Sequence, residues 1–223
     1  MSIPVAEKPY WIEPDLLMRI GGAISEPLAE GKPFSVACKQ AAAFITRSVE
    51  VEGIEHVPHK GPVIAVKSHP CHFDFLLAAD VFAVREDMRW LAKVTPWTAG
   101  LPTTHVIPLR KTGTHAHPDD VTALQAYLRE GGSMMATPWG SLDHEARAGV
   151  PVERAIQNTL RYLDFAQATL LPVTIDVIPG DAGLLPLESA HVTIHEPIEA
   201  NGKGMHFAKI AAAVTDMYER YTV

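Results

Sequence analysis

The sequence predicts an α/β fold: a mixed, mostly parallel sheet covered by helices on both faces, preceded by an N-terminal helical segment. Two observations carry this expectation. Strands alternate with helices along the chain, and the strands are apolar throughout, as a sheet covered on both faces requires. The length agrees, since 223 residues with 47% hydrophobic content suffice for one sizeable domain with a full core. That apolar content excludes disorder as the dominant state.

The elements follow in order. Asp15-Leu-Leu-Met-Arg-Ile20 begins a helical segment. Pro33 opens a second, which runs through Phe34, Ala37, Ala41, Phe44 and Ile45 to about Arg47 and is apolar over more than one face. Residues 1–47 therefore read as an N-terminal helical segment. Residues 48–223 read as one compact α/β unit, because no repeat, low-complexity tract or linker interrupts them. A short strand from Ser48 to Glu52 ends at Gly53. Pro62 to Lys67, bounded by Gly61 and Pro70, is a compact apolar run of the kind a buried strand shows. Phe73 to Val84 reads as a helix with Asp74 in its first turn, where a carboxylate meets the positive end of the dipole. Thr104 to Leu109 fits a strand, and a helix from Asp119 to Glu130 follows Pro118 and stops at Gly131-Gly132. Later strands fit Ser133 to Thr137, Leu170 to Ile178 and His191 to His195. Pro151 to Ala166 reads as a helix between the first two of these, and Met205 to Tyr221 as a closing amphipathic helix.

Charge and cysteine content narrow the function classes. The balance of 19 Lys+Arg against 26 Asp+Glu gives −7 and no basic stripe, which argues against a nucleic-acid partner. Cys38 and Cys71 are the two cysteines, too few for a disulfide framework, so a reducing compartment is the default. No basic region followed by an apolar run opens the chain, and no run of 18 or more uncharged apolar residues occurs; neither a secretory signal nor a membrane span is expected. Contact with a membrane surface remains open. Trp11, Leu16, Leu17, Met18, Ile20, Phe34, Phe44 and Ile45, with Arg19, Lys32, Lys39 and Arg47 nearby, form the candidate segment. Its competing reading is a helical pair packed on the sheet. The expected location is cytoplasmic, peripheral on the cytoplasmic face of the membrane.

The most informative stretch is Ser68-His-Pro-Cys-His-Phe-Asp74, where a buried strand gives way to a helix. In an α/β sheet the crevice beyond the strand ends is the usual ligand site. Five positions that cross such a turn can fold back and bring carboxylate and imidazole together. The carboxylate then fixes the ring tautomer and steadies the imidazolium, and the other ring nitrogen can take a proton from a hydroxyl. That is a dyad for acyl transfer to an alcohol. Two alternatives stay open on these residues. One is a capping Asp74 beside a solvated His69, with no chemistry. The other is a metal-dependent hydrolase using His69, His72 and Asp74. Cys71 is a fourth competent ligand there, and His105, His115, His117 and His144 are more distant donors, although the spacing does not match the usual structural zinc patterns.

The residues from Val49 to Asp74, VEVEGIEHVPHKGPVIAVKSHPCHFD, resemble the glycerolipid acyltransferase family, best known for the 1-acylglycerol-3-phosphate acyltransferases. That family has a strand with a glycine and then a "gpvivv-(S/N)-H-x4-D" block, and the order and spacing agree. His69 and Asp74 fall on the family's catalytic pair. Lys93 and His105-Val-Ile-Pro-Leu-Arg110 fill the second block, a strand ending in arginine after an upstream lysine. Arg110 thereby becomes a contact for an anionic headgroup, which an always-charged, forked guanidinium suits; its competing role, with Lys111, is to solvate a strand end. Gly131-Gly132-Ser-Met-Met-Ala-Thr-Pro138-Trp139-Gly140-Ser141-Leu142 resembles the third block, "G-G-x-x-x-x-F-P-E-G-T-R-S". Trp139 stands at the family's glutamate and Leu142 at its arginine. An indole and an isobutyl group suit an apolar or sugar-like acceptor better than a phosphate. Leu170-Leu-Pro172-Val-Thr-Ile175 matches the fourth block, an apolar strand with proline.

The resemblance implies transfer of a fatty acyl group from acyl-CoA or acyl-carrier protein to a hydroxyl of a lysolipid-type acceptor, at a membrane surface. His69, held by Asp74, is the implied general base. Lys93, Arg110, Pro138, Trp139, Gly140 and Ser141 are implied substrate-binding positions, with backbone N–H groups around Gly140 and Ser141 available to an oxyanion. No metal and no cofactor are implied. The altered third block also suits a protein of this shape that binds lipid without catalysis, whereas the retained His69 and Asp74 argue against that reading. Trp90 and Trp97, which flank Lys93 in a Pro/Trp-rich connection, border an acyl groove or simply pack. Cys71 lies where the family's spacer varies and is not assigned as a nucleophile.

Overall fold

The structure is a computed structural model that describes residues 14–94, 98, 101–112, 115–139, 151–166, 168–180, 187–199 and 205–220. Two helices come first, α1 (Pro14–Ala29) and α2 (Phe34–Ala42). The strands are β1 (Thr46–Glu52), β2 (Val63–Lys67), β3 (Met88–Lys93), β4 (Val106–Leu109), β5 (Lys111–Thr112), β6 (His115–Ala116), β7 (Ser133–Ala136), β8 (Thr169–Pro179) and β9 (Leu187–Ile194). The remaining helices are α3 (Asp74–Leu77), α4 (Ala79–Val84), α5 (Pro118–Arg129), α6 (Val152–Ala166) and α7 (Met205–Arg220). Among the described residues one sheet has seven strands in the order β1-β9-β8-β2-β7-β3-β4, and β5 and β6 form a separate hairpin. Every pairing in the large sheet is parallel except β8 with β9. The expected mixed, mostly parallel architecture is what the chain adopts.

The period of two along a strand divides the core into two layers. On β2, Val63 and Ala65 face α1 to α4, where they meet Ile20, Phe34, Cys38, Phe75 and Phe82. Ile64 and Val66 face the opposite way, onto Leu124 and Leu128 of α5, Ala155 of α6 and Val214 of α7. All five residues of β2 are buried, which is why its sequence shows no polar alternation. The sheet edges are protected differently. β1 keeps Arg47, Glu50 and Glu52 away from the core, and β4 carries Pro108, which lacks an N–H to offer a further strand.

Several expected boundaries move. The second helix stops at Ala42 and β1 starts at Thr46, whereas the apolar content had suggested a helix to about Arg47. The helix expected over residues 73–84 is broken at Ala78 into α3 and α4. β3 is not among the expected strands, since Met88-Arg-Trp-Leu-Ala-Lys93 mixes charged and aromatic residues; the strand lies next to the sheet edge and is only partly covered. The apolar residues offered for membrane contact divide in the same way. Ile20, Phe34 and Ile45 belong to the protein's own core, Leu16, Leu17 and Phe44 pack against it, and Met18 is 69% exposed. Trp11 lies outside the described residues. Among the described residues no helix is long and apolar enough to cross a membrane.

Gly53, which ends β1, is required by its surroundings. Its φ is +75°, and a Cβ there would lie 2.0 Å from the Ile194 carbonyl oxygen, which already meets His56 Nδ1 at 2.8 Å. Gly53→Ala is expected to lower the unfolding free energy by about 2 kcal/mol or more, from left-handed strain plus the clash. Urea denaturation measures this, and a loss under about 0.5 kcal/mol would contradict the close approach.

Candidate active site

The site begins where β2 ends. Pro70 has no N–H and biases His69 toward extended backbone, so the strand cannot simply run on into a helix. The turn is pinned to the neighbouring strand by Ser68. Its N–H donates to the Val173 carbonyl at 3.1 Å, and its Oγ accepts from the Ile175 N–H at 2.7 Å. The chain then folds back through Cys71 and Phe73 to Asp74, the first residue of α3.

Carboxylate and imidazole meet across this turn. His69 Nδ1 lies 2.6 Å from Asp74 Oδ2, with the imidazole side chain 19% exposed and the carboxylate 1% exposed. An ionised carboxylate only accepts, so Nδ1 carries a proton, and in the neutral ring the lone pair is on Nε2. The other carboxylate oxygen is engaged as well. Lys67 Nζ donates to Asp74 Oδ1 at 2.5 Å and to the Ser68 carbonyl at 3.2 Å, with its side chain 1% exposed. Full burial by itself pushes the Asp74 carboxyl up, but the charges and hydrogen bonds of His69 and Lys67 outweigh it and hold it below the ordinary value. The arrangement is an ionised carboxylate gripped from both sides, with one partly exposed imidazole at the strand end.

Lys67 is the residue that motif reading missed, and its signal was in the sequence. A lysine closes a run that is otherwise wholly apolar, with the same parity as the core-facing Val63 and Ala65. A charge at such a position needs a counter-charge nearby. His69 shares that parity, which directs both side chains to the layer that holds α3.

The parallel strands bring other expected residues to the same sheet edge. Lys93 closes β3 and is paired in register with Leu109, so Lys93 and Arg110 stand about two and three strand spacings from β2, roughly 10 and 14 Å at the backbone. Lys93 is exposed. Arg110 is engaged by a carboxylate of its own chain. Its Nη2 and Nε donate to Asp120 Oδ1 at 2.6 and 3.0 Å, and its backbone N–H to Asp120 Oδ2 at 2.6 Å. This is an exposed pair in the first turn of α5, and water competes with it.

Trp139 does not line an open groove. It is 6% exposed, packs edge-on against Tyr218 of α7 at 5.7 Å and sits in the α5–α7 layer. The indole is large and apolar enough to be drawn into that layer, where Leu163 and Met217 surround the same core. Pro138 precedes it, and its carbonyl accepts from Asn158 Nδ2 of α6 at 3.0 Å. Gly140, Ser141 and Leu142 lie outside the described residues, as does Trp97. Trp90 packs, stacking on the buried Phe75 at 3.8 Å between centroids. Of the residues named for a metal, His144 lies outside the described residues. His72 is exposed, both Asp74 oxygens are taken, and among the described residues no three His, Cys, Asp or Glu side chains gather as a ligand set.

Comparison with known proteins gives one kind of match. No protein-family model matches the chain, and no curated protein matches it. Among solved structures it is similar to the 1-acyl-sn-glycerophosphate (LPA) acyltransferase PlsC from Thermotoga maritima, with a TM-score of 0.59 and 17% identity over 93% of this chain and 95% of that one. The chain therefore has the fold of that acyltransferase over nearly its whole length.

Proposed function

We propose that the protein is an acyltransferase that moves a fatty acyl group from an acyl thioester, acyl-CoA or acyl-carrier protein, to a hydroxyl of a lysolipid-type acceptor. The observation that carries this reading is the 2.6 Å contact between His69 Nδ1 and a buried, ionised Asp74 at a strand end. His69 Nε2 takes the proton of the acceptor hydroxyl as its oxygen attacks the thioester carbonyl. Asp74 steadies the imidazolium that forms. The tetrahedral intermediate collapses, the C–S bond breaks, and the departing thiolate takes the proton from His69. The products are the acyl ester and the free thiol, so atoms and charge balance without a further reactant.

Acceptor recognition is assigned to the same sheet edge. Lys93 supplies an exposed positive charge there, and Arg110 joins it only by exchanging Asp120 for the acceptor's anionic group. Both substrates are amphiphiles, so the reaction takes place at a membrane surface, with the exposed Met18 of α1 as the apolar point of contact.

The test is thiol release from a panel of acyl-CoAs and acyl-carrier proteins, with lysophosphatidic acid, other lysolipids and no acceptor. Release that depends on an acceptor is the expected result. Release without any acceptor would make the protein a thioesterase instead, and no release with either donor class would sink the proposal.

A further inference from the structure

We infer that Lys67 is a positioning residue for the His69–Asp74 pair: its buried ammonium compensates the Asp74 carboxylate and so opposes uptake of a further proton by the pair. The role in catalysis rests on the acyl-transfer reading, whereas the geometry stands without it. The argument starts from Asp74, which is enclosed by protein and has two oxygens facing different partners. A neutral imidazole on Oδ2 does not compensate the lost hydration of a buried carboxylate. Lys67 on Oδ1 does, at 2.5 Å and itself cut off from water. The carboxylate is therefore ionised before any proton reaches His69.

The same ammonium opposes proton uptake by the pair. With Lys67 present, adding a proton to His69 and Asp74 creates a second positive charge close to the first. Remove Lys67, and the uncompensated carboxylate draws a proton at higher pH, whichever of the two side chains holds it. A His–Asp pair without Lys67 takes up that proton at higher pH, and in the protonated pair Nε2 cannot act as a base.

Among the described residues, ionisable groups on α2, α4, the turn, β3 and β8 are placed as follows. On α2, Lys39 is paired with Asp80 of α4 at the surface, and burial pushes the Cys38 thiol up so that it is uncharged. On the turn, Cys71 is buried and His72 is exposed. Asp176 of β8 and Lys93 of β3 are both exposed, and Lys93 stands about two strand spacings away. The large charges bearing on Asp74 are those of His69 and Lys67.

The experiment is an NMR titration of the His69 ring, identified by its absence in His69→Ala, in the wild type and in Lys67→Met. The midpoint is expected to rise by about 1 pH unit or more in Lys67→Met. Lys67→Arg should return it toward the wild-type value. An unchanged or lowered midpoint in a folded Lys67→Met protein would overturn the inference and leave Lys67 a purely structural ion-pair partner. If Lys67→Met does not fold, Lys67→Gln takes its place, because it keeps an N–H donor on Oδ1 without the charge; the same rise is expected and its absence is equally decisive. In the thiol-release assay the acid limb of kcat/KM should move upward by the same increment, with the KM for the acyl donor little changed. A wild type that releases no thiol would defeat the acyl-transfer reading, and the titration would still judge Lys67.

Discussion

Asp74→Asn is expected to lower the unfolding free energy by about 3 kcal/mol, at the lower end of what breaking a buried ion pair costs. The amide keeps the shape and one acceptor oxygen but removes the charge that balances Lys67, whose side chain is 1% exposed. A buried ammonium without its counter-ion is the source of the loss, so removing it as well should help. Lys67→Met/Asp74→Asn is expected to recover at least about 1 kcal/mol of the deficit, because a pair replaced on both sides leaves no orphaned charge. Urea denaturation of the two single variants and the double variant measures this as a thermodynamic cycle. Additive losses would mean that the two side chains do not stabilise one another. The wild type also carries a pH signature. The folded carboxyl lies below its ordinary value of 3.8, so its stabilisation is complete above that value and is withdrawn as pH falls through the folded one. The gap between wild type and Asp74→Asn should therefore narrow in acid.

His69→Ala is expected to reduce kcat for acyl transfer by about 1,000-fold while leaving the fold intact, since a positioned general base contributes roughly 10²–10⁴. The two variants separate because His69 and Asp74 differ in burial. The imidazole is 19% exposed, and water can take its place on Asp74 Oδ2. Its removal should cost no more than about 1 kcal/mol of stability. Steady-state thiol release beside a urea melt provides both readouts. Activity within tenfold of the wild type would exclude His69 as the base, and a stability loss as large as that of Asp74→Asn would make any drop in activity uninterpretable as chemistry.

Much of the fold was legible because burial on both faces leaves a plain mark. Val63-Ile-Ala-Val66 and Leu170-Leu-Pro-Val173 are apolar throughout, and both lie in central strands. β3 was not legible, since half-covered positions admit Arg89 and Trp90, an exposed one admits Lys93, and together they erase the apolar run. The closeness of His69 and Asp74 followed from a strand, a proline and a helix start within seven residues, all local signals. The fates of Arg110 and Trp139 did not. Arg110 finds Asp120 through the way α5 returns against β4, and Trp139 finds Tyr218 on a helix near the other end of the chain. Partners brought together by tertiary packing have no signature in the spacing around either residue.

The two kinds of residue at this sheet edge also differ in how far along the chain they must be gathered. Lys67, His69 and Asp74 fall within eight consecutive residues. Closing so short a segment costs little chain entropy, and its contacts depend on one strand end and one helix start. Lys93 and Arg110 arrive on other strands, each leading into its own connection. If the proposed function holds, lengthening or exchanging one of those connections alters acceptor binding without disturbing the Lys67–His69–Asp74 segment. On the proposed acyl-transfer reading, binding and chemistry are thus separable units of variation: the acceptor can drift while the proposed base stays where it is.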